Sequence, residues 1–86
     1  MNGRKIFAWC PDDTDESGAR EYTGDVPEEG AERHAEFLHA KGGDPCDRYC
    51  IRVRMIIDGR VREWDVLVMV DMTASFRTES AIKVLP

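Results

Sequence analysis

The sequence predicts an α+β fold: a four-stranded antiparallel sheet in β-β-α-β-β order, with one helix packed on one face. Three observations carry this prediction. Residues 4–10 alternate as a strand does, residues 26–41 form one amphipathic helical pattern, and two alternating segments flank the dipeptide Asp58-Gly59. Because 86 residues supply one modest core, we expect a single domain over residues 1–86. Residues 73–86 show no clear period, and three alternatives stay open for them: they extend the fourth strand, add a short strand, or form a loosely packed C-terminal tail.

The composition is that of a folded domain. Hydrophobic residues make up 42% of the chain and charged residues 34%, unlike a disordered chain. No apolar run approaches the ~18 residues of a membrane span, and the N-terminal sequence MNGRKIFAW lacks the apolar region of a signal peptide. The three cysteines are an odd number and too few for a disulfide scaffold. We therefore expect a cytoplasmic protein with no membrane partner.

The first two predicted strands flank an acidic loop. RKIFAWC, residues 4–10, places Ile6, Ala8 and Cys10 on one side of a strand, with Phe7 and Trp9 on the other. AREYTG, residues 19–24, predicts a short second strand that pairs antiparallel with the first.

The helix is predicted over residues 26–41. Asp25 and Glu28 have the spacing of a capping box, Pro27 suits the first turn, and Gly42 and Gly43 favour a helix end. The helical period places one apolar arc against the sheet, made of Pro27, Ala31, His34, Ala35 and Leu38, with Phe37 at its edge.

The dipeptide Asp58-Gly59 predicts a two-residue hairpin turn, which places Ile57 opposite Arg60. Counting outward gives the core-face pairs Val53 with Trp64, Ile51 with Val66 and Tyr49 with Val68. The same count places Arg54 opposite Glu63 and Arg52 opposite Asp65, as two ion pairs on a solvated face. Random alternation would seldom place opposite charges across from each other twice. The two charge pairs therefore support the register that the turn predicts.

Two metal hypotheses arise from the sequence. Asp13, Asp15, Ser17 and Gly18 match the first half of a calcium loop, but Gly24 stands where the bidentate Glu is required. Cys46 and Cys50 have a spacing found at zinc sites, with Cys10, His34 or His39 as further ligands. The predicted register points Cys50 away from the helix that carries His34. We therefore predict no metal and no cofactor, and keep a metal-stabilised domain as an alternative.

Catalysis is not predicted. Pairing Cys46 or Cys50 with His39 would give a nucleophile and a base, but no oxyanion signature or orienting third residue accompanies them. Direct nucleic-acid binding is a second alternative, because Arg48, Arg52, Arg54 and Arg62 resemble a basic patch. Glu63 and Asp65 face that patch and would compensate its charge.

The acidic residues predict a protein partner instead. Residues 10–32 hold nine acids against one base, within a chain of net charge -5. Glu28, Glu32 and Glu36 lie four residues apart, about 6 Å by helix rise, and can present phosphate-like charge to the groove of a nucleic-acid-binding protein. The predicted partner-binding residues are Asp12, Asp13, Asp15, Glu16, Glu28, Glu29, Glu32 and Glu36.

KIFAWCPDD, AREY and the PEEGAERHAEF helix resemble a loose group of short phage and prophage proteins that open with an aromatic strand, an acidic loop and an Ala/Glu-rich helix. The resemblance covers about the first half of the chain. It implies a small accessory inhibitor of the anti-CRISPR kind, acting in the host cytoplasm. Some such inhibitors are acidic and block nucleic-acid sites.

Overall fold

The computed structural model describes residues 3–42, 47–73 and 75–84. It is an α+β fold in which five antiparallel strands, in the spatial order β2-β1-β3-β4-β5, form one sheet beside one helix. The elements are β1 (Arg4–Trp9), a 3₁₀ turn (Glu16–Gly18), β2 (Arg20–Gly24), α1 (Pro27–His39), β3 (Arg48–Ile57), β4 (Arg60–Val70) and β5 (Phe76–Lys83).

The four-strand prediction was wrong by one strand, and the element order is β-β-α-β-β-β. β5 lies inside the predicted tail and pairs with β4 from Phe76 opposite Val70 to Lys83 opposite Trp64, with a bulge beside Val68. It is an edge strand whose residues are mostly exposed. Edge strands need little apolar alternation, so the sequence carried only a weak signal of it.

The hairpin prediction is confirmed in every pair. Asp58 and Gly59 both have positive φ, at 53° and 77°, as a type I′ turn requires. The register joins Ile57 with Arg60, Val53 with Trp64, Ile51 with Val66, Tyr49 with Val68, Arg54 with Glu63 and Arg52 with Asp65. The predicted antiparallel pairing of β1 with β2 is also confirmed.

The helix is shorter than predicted at both ends, and Asp25 is not its N-cap. Val26 holds that position with extended backbone angles, φ -131° and ψ 154°. The ring of a proline disfavours helical angles in the preceding residue, so Pro27 forces the helix to begin one residue later. The carboxylate of Glu29, rather than Glu28, then accepts hydrogen bonds from the backbone N–H groups of Asp25 and Val26, at 2.9 and 3.3 Å.

The core lies between α1 and one face of the sheet. Its fully buried large side chains on the helix side include Ile6, Ile51, Val53, Met55, Val66 and Val68. Ala31, His34 and Ala35 are buried on the helix, as the predicted arc requires. That arc omitted Gly30, which is also buried because α1 passes directly over Ile6. With 13 residues, α1 is the longest helix in the described ranges, and none there is long and apolar enough to cross a membrane.

Candidate functional site

The predicted acidic ridge of Glu28, Glu32 and Glu36 lies on α1, which covers one face of the sheet. Glu36 is exposed, whereas Glu28 and Glu32 are half-buried. The carboxylate of Glu32 accepts a hydrogen bond from the hydroxyl of Thr78, 2.6 Å away on β5. The ridge therefore stands beside the edge strand, and one of its carboxylates is held in place by that strand.

A shallow groove of about 420 Å³ separates the ridge from the start of β5. Its lining residues are Glu29, Glu32, Arg33, Glu36, Ser75 and Phe76. Glu29 is committed to the helix start, and Arg33 reaches the carbonyl of Thr23 at 3.4 Å. Within the described ranges, the side-chain carboxylates of Glu28 and Glu36 have no hydrogen-bond or ion-pair partner, so their charge is available to another molecule.

The predicted acidic loop is ordered by its own side chains. One carboxylate oxygen of Asp15 accepts hydrogen bonds from the backbone N–H and the hydroxyl of Ser17, at 3.0 and 2.5 Å, and so caps the 3₁₀ turn. These hydrogen bonds hold the pKa of Asp15 below its usual value. The half-match to a calcium loop is thereby explained as a capped turn, with Asp12 and Asp13 exposed beside it.

The eight predicted partner-binding residues do not form one surface. Glu16 forms an ion pair with Arg54, whose side chain lies on the sheet face that α1 does not cover. The ridge lies on the helix layer. The structure thus keeps Glu28, Glu29, Glu32 and Glu36 together and places Glu16 on the opposite side of the sheet.

The sheet face without the helix, which we name the open face, carries the predicted arginine patch. Arg48 contacts Glu79 at 2.7 Å, Arg52 contacts Asp65 at 2.5 Å, and Arg54 contacts Glu63 at 2.5 Å. Hydrogen bonds to these carboxylates raise the pKa of Arg52 and of Arg54. Arg62 pairs with Met55 and belongs to the helix side. The four arginines therefore do not share one face, and the three on the open face have their charges neutralised by neighbouring carboxylates.

The prediction that these ion pairs stand in water is wrong for Glu63. Its side chain is only 7% exposed, because Arg54 contacts it directly and Arg52 approaches it at 3.9 Å. Arg54 also lies over the ring of Trp9, 5.4 Å from its centroid, and Trp9 is itself buried. The centre of the open face is thus a packed charge network.

The lower part of the open face is apolar, which the sequence did not indicate. Ile56, Val61, Ile82 and Val84 are exposed by 55%, 46%, 66% and 40%. A groove of about 280 Å³ lies beside Ile56 and is lined by Phe7, Trp9, Glu16, Ala19, Arg54 and Ile56. The period-two alternation of β3 and β4 places Ile56 and Val61 on this face, but it could not show that nothing in the described part of the chain covers them. Ile82 and Val84 lie in the segment for which the sequence shows no clear period.

The cysteines lie on different sides of the sheet. Cys10 is buried in the core, and burial raises the pKa of its thiol. Cys50 is exposed on the open face opposite Leu67, as predicted. Cys46, the other half of the zinc hypothesis, lies outside the described residues. Among those described, no three His, Cys, Asp or Glu side chains are grouped as metal ligands would be.

Both histidines join the helix to the sheet through tyrosines. His34 Nδ1 is hydrogen-bonded to the Tyr22 hydroxyl at 2.8 Å, and His39 Nδ1 to the Tyr49 hydroxyl at 2.9 Å. A cleft of about 350 Å³ reaches His34 and Cys10 together with Arg20. The hydrogen bond of His34 Nδ1 goes to Tyr22 rather than to Cys10, so this nitrogen is engaged away from the thiol.

No protein-family model, curated protein or solved structure matches this chain.

Proposed function

We propose that this chain is a small acidic protein-interaction domain that acts by binding, without catalysis and without a bound cofactor. It would occupy the nucleic-acid site of a protein partner by charge mimicry. An inhibitor of the anti-CRISPR kind, borne by a phage and active in the host cytoplasm, is the specific form of this proposal. The short phage proteins that its first half resembles supply that context.

The observation that carries the proposal is that the arginines of the open face are paired with carboxylates, whereas two glutamates of the helix ridge have no cationic partner in the described ranges. Arg48, Arg52 and Arg54 each form an ion pair with a carboxylate on the same sheet face. Glu28 and Glu36, in contrast, have no cationic partner within the described ranges. The surplus that gives the chain its net charge of -5 therefore includes the helix ridge. Such a surface attracts a basic groove and accelerates association with it.

The experiment uses the full chain as bait in lysate of its source cells, treated with nuclease, and identifies the captured protein. Association of that purified partner is then measured for a Glu28→Lys/Glu36→Lys variant. These positions are preferable to Glu32, since reversing Glu32 would also break its hydrogen bond to Thr78. The matched control is Glu21→Lys/Asp25→Lys, which changes the net charge equally at exposed positions outside the ridge.

We expect the ridge variant to lose association, the control to keep most of it, and duplex DNA or RNA to compete with the wild type. Association should also slow as salt rises, because the screening length falls to about 8 Å at physiological ionic strength. Equal binding by both variants would refute charge mimicry. A stoichiometric zinc in native mass spectrometry, or a salt-dependent gel shift of nucleic acid alone, would favour the metal-stabilised or direct nucleic-acid-binding alternative.

A further inference from the structure

The open face is an uncovered side of a five-stranded sheet with large apolar side chains on it. Four of them, Ile56, Val61, Ile82 and Val84, are between 40% and 66% exposed. Single exposed apolar residues are ordinary on protein surfaces, but a contiguous group marks an interaction site.

The strand register shows that these side chains are contiguous. Ile56 is directly opposite Val61 across the β3–β4 hairpin. Val84 donates its backbone N–H to the carbonyl of Glu63, two residues along β4 from Val61, at 2.7 Å. Phe7 extends the group onto β1, where it lines a groove of about 420 Å³ together with Ile56. The patch therefore spans β1, β3, β4 and the end of β5.

The charges above this patch favour a second copy of the same chain as its occupant. The chain carries a net charge of -5, so two copies repel each other through most of their surfaces. The open face is the exception, because Arg52, Arg54 and Arg48 are matched by Asp65, Glu63 and Glu79 on the same face. The register of β1 and β2 adds Lys5 and Glu21 to this face, and their charges are opposite. Two such faces therefore meet as nearly neutral surfaces rather than as two acidic ones.

We propose that two copies of this chain associate through their open faces, giving a four-layer α/β/β/α dimer. Such an interface is isologous, since each copy offers the same self-complementary patch. Two stacked sheets pack about 10 Å apart with their inner side chains interdigitating. The exposed apolar residues would form the centre of the interface, and the arginine–carboxylate network would lie beside them.

The available area is sufficient for a specific but modest interface. Five strands at about 4.8 Å spacing and about seven residues per strand at about 3.4 Å give roughly 500–600 Å² per copy. Two copies would then bury somewhat more than the roughly 1,000 Å² that separates a specific interface from an incidental contact. We therefore expect the dimer to dissociate on dilution.

This assembly goes beyond the proposed charge mimicry and does not depend on it. Packing through the open faces leaves both helices on the outer layers. The dimer would display two acidic ridges, one on each side, and would bind a partner with two basic grooves more tightly than a monomer does.

The test is sedimentation velocity of the full chain from low micromolar to several hundred micromolar concentration. We expect the mass to rise from 9.8 kDa toward twice that value with increasing concentration. Val61→Glu should weaken self-association about 10-fold or more, because the dimer would bury an unpaired carboxylate. Val26→Glu is the matched control: Val26 is also 46% exposed and the charge change is the same, but it lies at the start of α1.

Backbone amide spectra recorded on dilution locate the interface independently. Shifts confined to residues of the open face support the proposal. A chain that stays monomeric throughout the concentration range overturns it. A dimer that survives Val61→Glu, or whose shifts lie along the edge of β5, overturns it as well, because association would then use another surface. Circular dichroism of each variant confirms that the fold is retained.

Discussion

The hydroxyl of Tyr22 and Nδ1 of His34 lie 2.8 Å apart and join β2, the edge of the sheet, to the middle of α1. His34 is only 4% exposed, and its ring stacks on Phe37. Burial, and after it the positive charges of Arg20 and Lys41, lower the pKa of His34 below its usual value of 6.5. The neutral imidazole is therefore the form that the folded protein accommodates.

The first prediction is a loss of stability in mild acid. Above pH 6.5 His34 is neutral in the folded and unfolded chains, so it adds no pH dependence. Below 6.5 the unfolded chain takes up a proton that the folded chain binds less readily, so the free energy of unfolding falls. Asp15 and Asp71, whose pKa values are also lowered, add their own loss only below 3.8.

Urea unfolding at a series of pH values from about 7.5 to about 5 measures this effect. His34→Gln removes the titrating group and should flatten the dependence, although it lowers stability at neutral pH. Tyr22→Phe is the control, since it removes the hydrogen bond but leaves His34 buried and the slope intact. An unchanged slope in His34→Gln would show that another group is responsible.

The second prediction concerns Gly30, where α1 packs directly against Ile6 of β1. A Cβ at this position would clash with Cγ2 of Ile6 and lie 3.0 Å from its Cβ. In an exposed helix, Gly→Ala adds about 1 kcal/mol of stability. Here we expect Gly30→Ala to destabilise the fold by about 1–3 kcal/mol, because the helix must move away from the sheet. Denaturant unfolding measures it, and a stabilised variant would contradict the close packing.

The sequence predicts an element of this fold well when residues close together in the chain determine that element without competition. The β3–β4 hairpin was predicted pair by pair, because Asp58 and Gly59 specify the turn and the turn specifies the register. The start of α1 was misplaced by one residue, because two local rules compete there. Pro27 restricts Val26 more strongly than Asp25 favours a cap.

The environment of the candidate surfaces was less predictable. Alternation assigns Glu63 and Ile56 to the same face, but only the three-dimensional structure shows that Glu63 is buried and Ile56 exposed. The difference arises from Arg54, which contacts the carboxylate, while nothing in the described structure covers Ile56. Likewise, the helical period places Glu32 outward, but its hydrogen bond to Thr78 depends on β5, 46 residues away.

The third prediction is unequal reactivity of the thiols. In a Cys46→Ser background, we expect a thiol reagent to modify Cys50 in the native protein and Cys10 only after denaturation. Burial is the largest cause that raises the pKa of both thiols, so the expected difference rests on access: Cys10 is only 7% exposed, whereas Cys50 is exposed. Mass spectrometry of partially labelled protein assigns each site. Equal labelling rates would mean that the end of β1 opens readily.

The fourth prediction compares a buried ion pair with an exposed one on the same face. The carboxylate of Glu63 is 7% exposed beside Arg54, whereas the Arg48–Glu79 pair is 57% and 33% exposed. Glu63→Gln keeps the shape but leaves Arg54 without its central partner, so we expect a loss of about 1–3 kcal/mol. Glu79→Gln should cost less than about 1 kcal/mol.

Chemical denaturation at low and high salt distinguishes the two variants, since salt screens the exposed pair more strongly. Equal losses would mean that water reaches Glu63 and that the centre of the open face is not packed.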